Sequence, residues 1–202
     1  MTLENTNFTG HFLIAMPNLT DPFFARSVTL ICTHNQEGAM GIMINRPTDM
    51  TYGVLFEKIN LSLGEKALAE KPVLYGGPVQ PERGFVLHQT AGDWDSSITV
   101  MDDIALTTSK DILDAVAQGT GPEKLMLSLG YAGWAAGQLE QEISQNAWLS
   151  VKPKDMQTLK KVLFDTPHDE QLNAAIALLG IDPSMLSDVA GHARRSSYKH
   201  TL

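Results

Sequence analysis

The chain reads as an α+β domain in which a mixed β-sheet curls toward a partial barrel. Three observations predict this class. Short apolar and β-branched runs bounded by Pro, Asn, Asp and Gly fill the first half, helical periodicity gathers in the second, and hairpin signals outnumber strand-helix-strand units. Short strands with glycines at their ends can bend to protect their edges, which favours the curl. A length of 202 residues with 43% hydrophobic and 19% charged residues suffices for one well-filled core. The expected organisation is one domain over residues 1–193 and a basic tail over 194–202.

The first strands are "HFLIAM", "SVTLICTH" and "AMGIMIN", with "THNQEG" turning the second back on the third. "PVLYG" and "GFVLH" follow, and "SITVMDDIALTTS" is one more strand bent at Asp102 and Asp103. A helix then begins at Ser109 as N-cap, with Asp111 in its first turn, Ile112 and Val116 on its apolar face and Gly119 beyond its end. "KLMLSLG" is a buried strand. Ala135, Leu139 and Ile143 recur every four residues and predict a helix from Trp134. "AWLSVKP" is the last strand, and Thr166 caps a final helix opened by Pro167 and closed by Gly180.

Composition narrows the function classes. The net charge of −8 repels a polyphosphate backbone, so nucleic acid is disfavoured as a partner. Basic residues Arg194, Arg195 and Lys199 are concentrated in the tail, a composition typical of a solvated end. No apolar run approaches the roughly 20 residues of a membrane span, and the N-terminus shows neither a secretory nor a transit pattern. A cytoplasmic location is expected. Cys32, the single cysteine, excludes an internal disulfide and reads as a buried thiol.

Motifs for chemistry are sparse. "LGYAGWAAGQLEQEI" places glycines between a strand and a helix, yet it lacks the dinucleotide and Walker spacings, and Glu140 and Glu142 oppose a phosphate. Its small residues suit close packing of helix on sheet. No G-x-S-x-G occurs. Cys32 and His34 are two apart on a strand and could share a face, although a buried thiol beside a loop-edge imidazole is the simpler reading. His11, His34, His88, His168, His192 and His200 form no metal-ligand spacing, and no cofactor motif is legible. Asp102 and Asp103, being adjacent, suit a turn better than a catalytic pair.

The turn-rich stretches hold the binding candidates. Asn18 lies in "MPNLTDPFFARS", Arg46 in "INRPT", and Arg83 and His88 in "GGPVQPERGFVLH". Arginines in separate loops could converge on an anion; alternatively each pairs with a nearby acid or packs its stem on apolar surface.

Three blocks, "GHFLIAMPNLTDPFFARSVTLICTHNQEGAMGIMINRP", "YGGPVQPERGFVLH" and "LGYAGWAAGQLEQEI" followed by "NAWL", together resemble the AlgH/YqgE family of bacterial proteins. The resemblance spans about residues 10 to 150. It implies a single α+β domain with a coiled or bifurcated sheet, partly barrel-like and surrounded by helices. Some members carry a transcriptional-regulator label without a recognised DNA-binding domain, and no agreed catalytic site comes with the family. The favoured expectation is a non-enzymatic module that binds a protein partner or small ligand and influences gene expression indirectly. Direct nucleic-acid binding and an enzyme acting on an anionic substrate around Arg46, Arg83 and His88 are the alternatives.

Overall fold

The computed structural model describes residues 6–186; His192 and the basic tail with His200 lie outside them. Ten strands form one sheet: β1 (Phe12–Ala15), β2 (Val28–Asn35), β3 (Gly38–Met43), β4 (Pro47–Thr51), β5 (Pro72–Tyr75), β6 (Val79–Gln89), β7 (Ser97–Met101), β8 (Ile104–Thr107), β9 (Leu125–Ala135) and β10 (Trp148–Val151). The helices are α1 (Tyr52–Lys58), α2 (Lys66–Ala69), α3 (Lys110–Ala117), α4 (Gln138–Ser144), α5 (Met156–Lys160) and α6 (Gln171–Ala177), with a π-helical turn over Lys161–Asp165.

Strand order is β10-β1-β2-β3-β9-β6-β8-β7, and the sheet forks at β9. One end of β9, residues 132–135, pairs antiparallel with β3, whereas Ser128 and Leu129 pair in parallel with Leu74 and Tyr75 of β5, which carries β4. All other pairings are antiparallel. One face of the sheet holds the main core, built from fully buried Phe12, Ile14, Leu30 and Ile104 with Leu87 and Leu106 and closed by residues of α5, the π-helical turn and α6. Each such side chain contributes about 1.5–3 kcal/mol by leaving water. The opposite face carries two smaller cores. One sits beneath α4 around Trp134 and Trp148, the other beneath α1 and α3 around Phe56, Val86 and Ile112.

Several local expectations are corrected. "SITVMDDIALTTS" is two strands, not one, because Asp102 adopts φ 46° and turns β7 back onto β8. Trp134 and Ala135 belong to β9, and α4 starts only at Gln138 after Gly137. Ser109 stands at the N-cap of α3 but makes no capping bond; its hydroxyl instead joins Asp111 Oδ1 at 2.5 Å. Thr166 donates to the Lys161 carbonyl at 2.8 Å and closes the π-helical turn, so α6 begins later, at Gln171. The apolar face of α3 follows expectation, with Ile112 and Val116 buried.

Candidate functional site

Prolines and a bulge place Arg83. Along β6, Val79 opposes Tyr131 and Gly84 opposes Leu129, so the Gln80–Arg83 segment uses more chain than β9 does and bows out of the ladder. Regular pairing resumes at Gly84, and Arg83 and Phe85 project to one face of the strand, with the guanidinium 5.7 Å from the Phe85 ring centre. Arg83 donates to Gln80 Oε1 at 3.3 Å and to Thr108 Oγ1 at 3.2 Å. Among the described residues it forms no ion pair with a carboxylate.

Arg83 lines a cleft of about 530 Å³. Its apolar walls are Met40, Phe85, Ile98, Leu106 and Tyr131, drawn from β3, β6, β7, β8 and β9. Polar atoms come from Gln80, Asp95, Ser96, Ser97 and Thr108. A hydroxyl ladder stiffens the rim: Thr108 Oγ1 lies 3.1 Å from Ser96 Oγ, the Ser96 N–H donates to Ser109 Oγ at 3.0 Å, and the Asp95 N–H donates to Asp111 Oδ2 at 2.8 Å. The Ser109 hydroxyl above all, helped by the Asp95 N–H, holds the Asp111 carboxyl below the usual carboxylate range.

The other candidates do not join this cleft. The Arg46 guanidinium donates to the carbonyls of Pro22 at 3.2 Å, Phe23 and Ala25 at 2.7 Å, and so laces the β1–β2 loop together. Asn45 assists, accepting from the Val28 N–H at 2.9 Å and donating to the Arg26 carbonyl at 3.0 Å. Asn18 is exposed in the same loop. The three arginines of the turn-rich stretches therefore do not converge: Arg46 serves the loop and Arg26 is exposed at φ 60°.

His88 lies five residues beyond Arg83 on one strand, and an odd separation sends the two side chains to opposite faces. The structure does not bring Arg46, Arg83 and His88 together. His88 is fully buried, with Trp94 set edge-on against it at 6.3 Å. Its Nδ1 faces the Thr90 carbonyl at 3.2 Å, which can only accept, so Nδ1 carries the proton and Nε2 accepts from Thr107 Oγ1 at 2.8 Å. Thr107 in turn lies 2.9 Å from Ser97 Oγ. Cys32 and His34 also part company, because a bulge between Ile31 and Thr33 breaks the alternation of β2. Cys32 enters the main core, where burial pushes its thiol up to about 12 and leaves it unreactive. His34 is buried against Phe8 on the other face, accepts from the Phe8 N–H at 3.0 Å and donates to Glu140 at 2.7 Å. No group of three metal-ligating side chains occurs among the described residues.

Comparison with known proteins agrees with this fold and its blocks. A family model described as AlgH-like matches residues 12–184. The chain belongs to the AlgH-like family. A relative from Chromobacterium violaceum, named UPF0301 protein, is 52% identical over 95% of this chain and 100% of its own. Another from Thiobacillus denitrificans, with the same name, is 55% identical at the same coverage. Among solved structures, the solution structure of AlgH from Pseudomonas aeruginosa superimposes with a TM-score of 0.75 at 44% identity, covering 91% of this chain and 94% of that one. A Corynebacterium diphtheriae protein gives 0.58 at 25% identity over 74% and 78%. The forked, curled sheet is thus the fold of the AlgH-like family, and the bifurcation that the resemblance implied is the divergence of β3 and β5 from β9.

Arg83 was legible in the sequence as a loop arginine, but its cleft partners were not. Phe85 alone had a signal, since it sits two residues on along a strand; Met40, Tyr131 and Ile98 arrive from elements far apart in the chain. Buried His88 and partly buried His11 make stability depend on pH. Burial holds His88 below the ordinary imidazole range, and burial with Lys152 and His34 does the same for His11. The unfolded chain takes up protons near pH 6.5 and the folded chain only at lower pH, so stability is full above about 6.5 and falls with acidification. The expected slope is up to about 1.4 kcal/mol per pH unit for each histidine. Urea midpoints measured from pH 7.5 to 5.5 should drop, and His88→Gln should flatten the decline; a constant midpoint in the parent protein contradicts it.

Proposed function

We propose that this AlgH-like chain is a non-enzymatic binding module whose ligand site is the Arg83 cleft, and that any influence on transcription is indirect, through what it binds there. One observation carries the reading: an arginine that has no carboxylate partner among the described residues lines a cleft of mixed apolar and polar walls and rests over an aromatic ring. Two of its five N–H groups are used internally, which leaves donors for an incoming anion. The walls suit a ligand that joins one anionic group to an apolar body. A polyanion fits poorly, because Asp95 lines the same cleft and the whole chain carries −8. A cytoplasmic setting accords with the single unreactive thiol.

The test is a nuclear magnetic resonance titration with benzoate, phenylacetate and phenyl phosphate, with benzamide as the neutral control. Amide signals of Arg83 and of residues 95–98 should move with the anions and move far less with benzamide. Arg83→Gln should weaken binding about tenfold, the loss expected for one charge-assisted contact. Shifts that are absent, or equal for benzamide and benzoate, remove the cleft as an anion site.

A further inference from the structure

We propose that the free edge of β7 and the Arg83 cleft together dock an extended peptide ending in a free carboxylate, added antiparallel to β7. This rests on the cleft being a ligand site and names its occupant. Four consecutive residues, Asp95 to Ile98, border the cleft. Asp95 and Ser96 lead into β7, and the adjacent strand residues Ser97 and Ile98 send their side chains to opposite faces, so the cleft reaches the main-chain edge at the start of the strand. β7 ends the strand order and pairs only with β8. The Thr108 N–H donates to the Ser96 carbonyl at 2.9 Å, and the ladder continues from Ser96 to Ile98 on the bonded side. Alternation then turns the N–H and C=O groups of Ser97 and Thr99 toward the open side.

Natural sheet edges are usually blocked by Lys, Pro or inward charge. The β7 sequence SITVM has none of these, and Ile98 is 40% exposed. At its far end β7 approaches the N-terminal segment, where Met101 packs on Gly10, so the open part of the edge is the part beside the cleft. Charge selects the direction of an added strand. Arg83 sits at the start of β7, bonded to Thr108. An antiparallel peptide brings its C-terminus to that end, where its carboxylate meets the guanidinium; a parallel peptide would bring a repelled ammonium. An apolar side chain of the peptide then covers Ile98, Phe85 and Tyr131.

The experiment uses the full chain and a random octapeptide library displayed at the C-terminus of a phage coat protein, so that every member ends in a free carboxylate. Sequences should be enriched, and a synthetic winner should bind in fluorescence anisotropy as the acid and about tenfold more weakly as the C-terminal amide. Ile98→Lys should abolish binding while the protein stays folded by circular dichroism, since 40% of the residue already faces solvent. Failure to enrich any sequence overturns strand addition, as does equal binding of acid and amide or unimpaired binding to Ile98→Lys. If benzoate still reaches Arg83 when no peptide does, only the peptide inference falls; if both fail, the cleft reading falls as well.

Discussion

Gly77→Ala should destabilise the protein by on the order of 3–5 kcal/mol, enough to remove much of a typical domain stability of about 5–15 kcal/mol. A Cβ at this position would lie 2.1 Å from the Tyr131 carbonyl carbon, 2.2 Å from its oxygen and 2.3 Å from the Ala132 nitrogen. All three are backbone atoms of β9, so no rotamer change can relieve the clash. Gly77 also has φ 155°, outside the comfortable range of an alanine. Facing it across the fork, Gly130 has φ 74° and would place its own Cβ 2.2 Å from the Gly77 carbonyl oxygen. The two glycines let β9 release β3 on one side and receive β5, while β6 departs, within a few residues. Gly64→Ala is the control, since its Cβ would meet nothing within 4 Å. It should be neutral or stabilising by up to about 1 kcal/mol. Urea unfolding of both variants decides the matter, and a Gly77→Ala protein as stable as Gly64→Ala would falsify the account of the fork.

The fork also shows where sequence reading stops. Strands β1 to β3 were legible because each is an apolar run with polar turns, and the turn after β2 was legible because Asn35 and Gly38 bracket a few polar residues. Asn35 indeed folds back, its Oδ1 accepting from the Glu37 N–H at 2.8 Å. Which strand lies beside which is a long-range matter, and nothing local in "LMLSLGYAGWA" announces that one strand will serve three partners. Misreadings followed the same logic. Ala135, Leu139 and Ile143 do have helical spacing, but Ala135 is held as the end of β9, its N–H donating to Gln138 Oε1 at 2.9 Å. The bulge in β2 is one extra residue set against β3, so a fixed period of two misplaces His34 relative to Cys32. Arg46 and Arg83 looked equivalent in sequence; three backbone carbonyls from a distant loop make the first structural, and their absence around the second leaves it available.

A second large effect is expected at Glu142, whose carboxylate ties α4 to the sheet. Its Oε2 accepts from the Trp134 indole N–H at 2.8 Å and from the Trp148 indole N–H at 2.9 Å, while Oε1 accepts from Gln138 at 3.0 Å. Both indoles are buried and meet edge-to-face at 6.0 Å, with Phe24 of the β1–β2 loop against Trp148 at 5.5 Å. The apolar bodies fill the core beneath α4, and the two N–H groups need an acceptor that the surrounding Leu13, Ile31 and Leu139 cannot supply. Glu142→Leu strands both donors, each at about 1–3 kcal/mol, so a loss of about 2–5 kcal/mol is expected. Trp148→Phe in the same background removes one stranded donor, and the double variant should lose less than the sum of the two single changes. Urea midpoints measure the energies, and tryptophan emission in a Trp94→Phe background reports the altered indole environment. A Glu142→Leu protein within about 0.5 kcal/mol of the parent would mean that the indoles find other acceptors and that α4 is held by its apolar contacts alone.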